Sequence, residues 1–297
     1  MGAREQRAAD ISCAPIARAS GVDRARVIGA ALTAAAQRLA PHSDTPRLDA
    51  ELLMAHALGI TREDLLLSQP GGPPPPAFDA LLTRREAGEP IAYITGRRAF
   101  WTIELDVGPG VLVPRPDSET LIEAALAHYG AAGPSRILDL GTGPGTLLLA
   151  ALAQWPRATG TGVDASEAAL AYARSNAARL GLSARADLRL GHWAEGIDGA
   201  FDLILCNPPY VEAGADLPPG VAAWEPAEAL YAGADGLDAY RLIAPAVPRL
   251  LAPSGLACFE IGSAQAETAG ALFAAQGLSV TVRNDLAGRP RCLLLRH

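Results

Sequence analysis

The sequence predicts an α/β protein: a seven-stranded Rossmann-like domain preceded by a smaller helical domain and a β-hairpin linker. Three observations predict it. Beyond Arg136, short apolar runs alternate with helical stretches, at 136–140, 159–163, 187–190, 201–206, 255–261, 278–283 and 291–295. That is the pattern of strands buried on both faces of a mostly parallel sheet. The first run leads into Gly141-Thr142-Gly143-Pro144-Gly145 and then a helical stretch from Thr146. Strand, glycine-rich turn and helix make up the nucleotide-binding βα unit. The last two runs are joined by residues 284–290 alone, too few for a helical crossover. The final pair is therefore antiparallel, an ending not expected of a dinucleotide-binding dehydrogenase.

The elements follow in order. Residues 1–21 read as a disordered tail: Arg4, Glu5, Arg7 and Asp10 break any apolar stretch, so the segment lacks the core of a secretory signal. Residues 22–92 read as a helical domain. The stretch 26–39 is Ala-rich and amphipathic. The stretch 48–58 sets Leu48, Leu52, Ala55 and Leu58 on one face, and Gly59 ends it. Thr61 caps a short helix through Leu65-Leu66-Leu67, the proline-rich 69–76 is a spacer, and 78–87 is another helix. From Tyr93 the period changes to two. Phe100, Thr102, Glu104 and Asp106 alternate with Trp101, Ile103, Leu105 and Val107, and Gly108-Pro109-Gly110 turns into Val111-Leu112-Val113. Residues 93–113 are thus predicted to form the hairpin linker. Residues 114–297 form the sheet domain, entered through a helix running to about Tyr129.

Composition narrows the function. The 297 residues are 49% hydrophobic and 19% charged, enough for one large or two modest globular domains. No apolar run reaches about 18 residues, so no membrane span is expected. Cys13, Cys206, Cys258 and Cys292 are far apart and form no CxxC, and the five histidines are scattered. This predicts a reducing, cytoplasmic setting and no metal. All 25 basic residues are arginine, which excludes a P-loop, Schiff-base or general-base lysine. No GxSxG is present, which excludes a serine-hydrolase elbow. Residues 1–100 carry a net +1 and residues 101–297 a net −8. An acidic half does not suit a broad phosphate-gripping face, so DNA is not an expected partner.

Two motifs carry chemistry. After the run 201–206 comes Asn207-Pro208-Pro209-Tyr210. Two prolines stop a strand, so this turn leaves the sheet at its carboxyl edge, where open α/β sheets bind ligands. It offers two acceptors, Asn207 Oδ1 and a main-chain carbonyl, and a ring to stack on, which suits a planar amino or amide group. Upstream, Thr146 stands where the dinucleotide fingerprint wants glycine, and Asp164 follows Gly145 by 19 residues. A carboxylate at the end of the second strand is placed to accept from ribose hydroxyls. Together the glycine loop, Asp164 and the Asn-Pro-Pro-Tyr turn have the layout of an S-adenosylmethionine-dependent methyltransferase acting on nitrogen.

The chain resembles the bacterial release-factor glutamine N5-methyltransferases (the PrmC/HemK family). The segments that carry the resemblance are 90–96 (Pro-Ile-Ala-Tyr-Ile-Thr-Gly), Phe100, and 111–119 (Val-Leu-Val-Pro-Arg-Pro-Asp-Ser-Glu). They continue with 138–145, 163–166, 207–210, Glu225-Pro226, 233–238 and 285–289. Asn-Pro-Pro-Tyr is shared with adenine-N6 DNA methyltransferases; the Pro-Arg-Pro and Gly-x-Asp-Gly-Leu-Asp segments are more specific. The resemblance implies a class I methyltransferase fold and S-adenosylmethionine as cofactor. It implies a glutamine in the Gly-Gly-Gln motif of class 1 peptide release factors as substrate, and a docking role for the helical domain. Three positions depart from the family's usual pattern. Asp117-Ser118 replaces Glu-Thr, Pro144 replaces a small residue and removes an N–H donor, and His192 replaces the Asp of Gly-Asp-Trp. That Asp would accept from the adenine amino group, whereas Trp193 can still stack on the base.

The candidate residues follow. Gly141, Thr142, Gly143, Pro144, Gly145, Asp164, Trp193 and Asn207 are candidates for the cofactor. Asn207, Pro208 and Tyr210 are candidates for catalysis: Asn207 Oδ1 and the Pro208 carbonyl accept the substrate amide's N–H groups while Tyr210 packs on its plane. Asn207, Pro208, Pro209, Tyr210, Phe100, Arg115 and Glu119 are candidates for the substrate. Phe100 has hairpin core as its bland alternative, Arg115 a surface charge, and Glu119 a first-turn carboxylate favouring a helix dipole. Two other functions fit the same motifs: an adenine-N6 nucleic-acid methyltransferase, which needs a basic groove, and an inactive cofactor-binding adaptor.

Overall fold

The computed structural model describes residues 21–68 and 70–297. The tail expected over 1–21, and Cys13 with it, lies outside the described residues save for Gly21, which opens the first helix. The chain divides into two compact units on either side of the Glu86–Ala87 bond.

The first unit is helical: α1 (Gly21–Leu39), α2 (Pro46–Leu58), α3 (Arg62–Ser68) and α4 (Ala77–Glu86). α1 buries Ile28, Leu32, Ala35 and Leu39, the apolar stripe of an amphipathic helix. α2 starts on a proline and is stopped by Gly59 in the left-handed region at φ 68°, where glycine is unstrained. Its buried face is not the expected one. Of Leu48, Leu52, Ala55 and Leu58 only Ala55 is buried; the packed side carries Ala50, Leu53 and Met54 instead. Asp49 and Glu51 share that buried side because arginines cover them. Arg85 pairs with Asp49 at 2.8 Å, and Arg47 and Arg62 pair with Glu51 at 2.7 Å each. Two of these pairings, to Arg85 of α4 and Arg62 of α3, reach across helices and are invisible in a single helix's pattern.

The second unit begins with α5 (Ile91–Thr95) and a hairpin of β1 (Arg97–Phe100) and β2 (Ile103–Asp106). The expected hairpin turn at Gly108-Pro109-Gly110 is corrected. Phe100 pairs with Ile103, so the turn is Trp101-Thr102. Trp101 sits in the left-handed region at φ 54°, an uncommon conformation for a bulky residue. Tertiary bonds hold it: its N–H donates to Glu119 Oε1 at 2.8 Å and its indole N–H to Gln154 Oε1 at 3.0 Å. Gly108 is close-packed instead, since a Cβ there would meet the Tyr172 hydroxyl at 2.3 Å.

A 3₁₀ turn, Pro116–Ser118, leads into α6 (Glu119–Tyr129). Then follow β3 (Arg136–Leu140), α7 (Thr146–Gln154), β4 (Thr159–Asp164), α8 (Glu167–Arg179), β5 (Ala186–Leu190) and β6 (Phe201–Cys206). The chain continues through α9 (Pro219–Ala222), α10 (Asp238–Ile243), α11 (Val247–Leu250), β7 (Leu251–Glu260), α12 (Ala266–Ala274), β8 (Ser279–Asn284) and β9 (Pro290–Arg296). The sheet order is β5-β4-β3-β6-β7-β9-β8. β9 runs antiparallel to both neighbours and the remaining pairs are parallel; the β8–β9 pairing is the one the short last connection required.

Successive strand residues feed two cores, as a pleated sheet covered on both faces demands. Ile137, Leu203, Leu205, Leu256 and Cys258 pack with α6, α7 and α8. Leu138, Leu140, Ile204, Cys206, Ala257 and Phe259 pack with α10, α11 and α12. Strand order reverses between β3 and β6, which opens a crevice at their carboxyl ends.

Candidate active site

A cavity of about 600 Å³ lies over that crevice, within the size range of small-ligand sites. The loop after β3 forms its floor. Gly141 and Gly143 have φ of 73° and 57°, and only glycine takes such angles without strain. Their N–H groups are held: Gly141 donates to the Val163 carbonyl at 2.8 Å and Gly143 to Asp164 Oδ2 at 2.7 Å. Asp164, the last residue of β4, also accepts the Ser166 N–H at 2.8 Å. Burial raises its pKa while these backbone donors oppose the rise. A Cβ on Gly141 would lie 3.1 Å from the Trp193 ring, so the indole is laid against the loop. Trp193 is itself left-handed at φ 52°, a strained state of the kind found where a site needs a side chain aimed.

Asp139 was not among the sequence candidates, yet it lines the cavity and is 1% exposed. Its Oδ2 accepts from the Thr142 hydroxyl at 2.7 Å and the Leu148 N–H at 3.1 Å, while Oδ1 has no partner. Burial pushes its pKa up to about 7, and the nearby Asp164 adds to the rise. A buried acceptor without a donor in the chain is open to a partner from outside it, a water or a ligand. An ammonium group satisfies it, and the amino-acid end of S-adenosylmethionine carries one. The flat Trp193 ring and the Asp164 carboxylate suit the nucleoside end. The residues present therefore fit this cofactor.

The opposite wall is built around Asn207, directly after β6. Its Nδ2 donates to Ser118 Oγ at 3.1 Å, Ser118 donates to Glu260 Oε2 at 2.5 Å, and the Tyr210 hydroxyl donates to Glu260 Oε1 at 3.2 Å. Asn207 Oδ1 and the Pro208 carbonyl accept no hydrogen bond from the described residues. Glu260 ends β7 and is 1% exposed. Burial pushes its pKa up to about 7, against the pull of Ser118, Arg291 and Tyr210.

The structure brings Gly141, Thr142, Gly143, Pro144, Asp164, Trp193, Asn207, Pro209 and Arg115 to the cavity, and His192 beside Trp193. Gly145, Pro208, Tyr210, Phe100 and Glu119 are not on its lining. Gly145 opens α7 at φ 88°, where a Cβ would strike Leu149 at 2.7 Å. Phe100 is core, 2% exposed. Glu119 accepts the N–H of the hairpin turn. Tyr210 reaches Glu260. Arg115 pairs with Glu225 at 2.6 Å, and Glu225 also accepts the Val113 N–H at 2.9 Å. Glu225 thereby pins the segment 111–115 along the cavity rim. The sequence held one signal for Glu260, a charged residue inside the apolar run 255–261. Among the described residues no cluster of three or more His, Cys, Asp or Glu is placed to hold a metal.

Residues 30–96 match the family described as PrmC N-terminal domain, and residues 134–276 match the family described as Methyltransferase domain. A release factor glutamine methyltransferase of Rhodospirillum rubrum is 44% identical over 286 residues, 94% of this chain and 88% of that one. One of Cereibacter sphaeroides is 45% identical over 273 residues, 90% of this chain and 97% of that one. In three dimensions, a methyltransferase from Pyrococcus furiosus gives a TM-score of 0.50 at 19% identity, covering 73% of this chain and 96% of that one. Likeness at that level speaks for the fold.

Proposed function

The chain belongs to the release factor glutamine methyltransferases, which are S-adenosylmethionine-dependent enzymes, and we propose that its substrate is the glutamine side chain in the Gly-Gly-Gln motif of class 1 peptide release factors. One observation carries this reading: an asparagine amide anchored through Nδ2, with an unclaimed Oδ1, on the wall of a cavity that also holds the glycine loop, Asp139 and Asp164.

S-adenosylmethionine, when bound, supplies an electrophilic sulfonium methyl group. The glutamine amide nitrogen is the weak partner because its lone pair is delocalised. Asn207 Oδ1 and the Pro208 carbonyl accept its two N–H bonds and fix the nitrogen. Both acceptors gain strength as positive charge builds on nitrogen in the transition state. No base is needed before transfer, since the proton becomes acidic only once the nitrogen is alkylated. Arg115, held by Glu225, and Pro209 line the same cavity, and in this reading they face the incoming substrate loop.

In this reading residues 22–92 dock the release factor, 93–113 link, and 114–297 bind cofactor and catalyse. The enzyme works in the cytoplasm, where release factors act; among the described residues no helix is long and apolar enough to cross a membrane. DNA is not a substrate, a view supported by the net −8 of residues 101–297. The test is mass spectrometry with methyl-labelled S-adenosylmethionine and three substrates: intact release factor, the same factor with its Gly-Gly-Gln glutamine changed to alanine, and adenine-containing DNA. Label confined to the intact factor is expected. Labelled DNA, or undiminished labelling of the alanine variant, overturns the proposal.

A further inference from the structure

Resting on methyl transfer to an amide nitrogen, we infer that Glu260, acting through the Ser118 hydroxyl, is a positioning residue that sets which edge of the Asn207 amide meets the acceptor. The argument is a count of donors. A carboxylate accepts only. The Ser118 hydroxyl has one proton, and with Glu260 ionised that proton is given to Oε2. Ser118 Oγ can then only accept from Asn207, so Nδ2 must face it and Oδ1 must face away, toward the cavity. Asn207 carries no other side-chain hydrogen bond to the described residues, so nothing else fixes the flip.

A proton on Glu260 removes this constraint. The acid donates to Ser118 Oγ, the hydroxyl turns its own proton toward Asn207, and the amide rotates to present Oδ1 to Ser118. Nδ2 then confronts the substrate N–H groups, donor against donor. The groups packed around Glu260 are Asp117 on the 3₁₀ turn, Arg291 and Cys292 on β9, Cys206 on β6, Tyr210 after β6 and Tyr240 on α10. Burial drives the Cys206 and Cys292 thiols and both phenols further up, away from neutrality. Glu260 itself is pushed to about 7, so the switch falls in a range where rates can be measured. Tyr210 belongs to the same device, because its hydroxyl holds the second carboxylate oxygen.

The experiment uses the full chain with intact class 1 release factor and saturating S-adenosylmethionine, so that titration of Asp139 in the empty cavity is not read. Wild-type kcat should fall as pH drops through about 7. Ser118→Ala should lower kcat about 10²-fold, the usual effect of misplacing a reacting group, with KM for the release factor and affinity for S-adenosylhomocysteine nearly unchanged. Ser118→Thr, which keeps the hydroxyl, should restore turnover. Glu260→Gln should lower kcat at alkaline pH and erase the acidic limb. Retained S-adenosylhomocysteine affinity certifies that each variant is folded, and should Glu260→Gln lose it the Ser118 pair decides. Wild-type kcat in Ser118→Ala, or an unchanged acidic limb in Glu260→Gln, refutes the inference. A wild-type enzyme that labels no release factor refutes the substrate reading instead.

Discussion

Replacing Asp139 by asparagine should strengthen the fold and weaken the cofactor site. In the ligand-free protein Asp139 is a buried carboxyl with one oxygen satisfied twice and the other not at all. Its folded pKa, about 7, lies above the ordinary aspartate value of 3.8. Below that value both the folded and unfolded chains hold the proton and the group contributes nothing. As pH rises from about 4 to about 7 the unfolded chain releases the proton first, so stability falls across that window. Above it the folded protein carries a penalty on the order of a few kcal/mol. Asparagine keeps an acceptor for Thr142 and Leu148 and removes the charge, so Tm at pH 8 should rise. The same change puts an Nδ2 donor where the unpaired Oδ1 stood. Losing a charge-assisted bond to an ammonium is worth about 1.5–3 kcal/mol, or roughly 10- to 10²-fold in Kd. Wild-type affinity should also decline as pH falls below about 7, because a cation binds the ionised form, while the variant should show no such decline. Calorimetry with S-adenosylhomocysteine from pH 5.5 to 8.5, beside thermal unfolding, reads both effects. Wild-type affinity in Asp139→Asn would falsify the placement of the ammonium here.

Further outcomes follow from the same site. Asp164→Ala should weaken S-adenosylhomocysteine binding by about 1.5–3 kcal/mol and free the Gly143 and Ser166 N–H groups, and calorimetry showing unchanged affinity removes Asp164 from the site. Asn207→Ala should leave cofactor affinity intact and lower kcat about 10²- to 10³-fold in a single-turnover methylation assay; undiminished transfer there refutes its role as acceptor. Glu225→Ala should destabilise the fold by about 1–3 kcal/mol in urea unfolding, because the Val113 N–H and Arg115 lose their partner. The chain from residue 87 onward should bind S-adenosylhomocysteine yet methylate release factor poorly, and full activity in that fragment overturns the docking role of the helices.

Legibility tracked sequence distance. The strands of the sheet were readable because residues buried on both faces must be apolar; β6 and β3 match their expected spans. β7 starts at Leu251, earlier than 255, because its first turn-like residues Pro253 and Ser254 are exposed. The hairpin turn was misread because Gly-Pro-Gly carries local turn chemistry and Trp-Thr does not; Trp101 is held by Glu119 and Gln154. In the site, the glycine loop and Asp164 follow a βα spacing rule, whereas Trp193 was legible only through the family resemblance. The supports of Asn207 follow none. Ser118 lies 89 residues before it, and Glu260 142 beyond Ser118. The packing of β7 beside β6 brings Glu260 near Asn207, and Ser118, from the 3₁₀ turn, bridges the two side chains.

The switch in strand order divides the chemistry. The ends of β3, β4 and β5 supply Asp139, the glycine loop, Asp164 and Trp193, all suited to the cofactor. The ends of β6 and β7, with the 3₁₀ turn, supply Asn207, Glu260 and Ser118, all suited to the acceptor. β3 and β6 are hydrogen-bonded neighbours in register, Leu140 opposite Cys206, so the two halves meet one residue beyond a rigid pair of strand ends. The charges divide likewise. Asp139, Asp164 and Glu228 line the cavity, and its arginine, Arg115, is already paired with Glu225. Such a lining attracts a cationic cosubstrate and tolerates a neutral amide. A phosphodiester brought to the same place would meet carboxylates without free cations to balance them. The electrostatics therefore favour a side-chain amide over an adenine carried on a nucleic acid, though the Asn-Pro-Pro-Tyr turn can hold either.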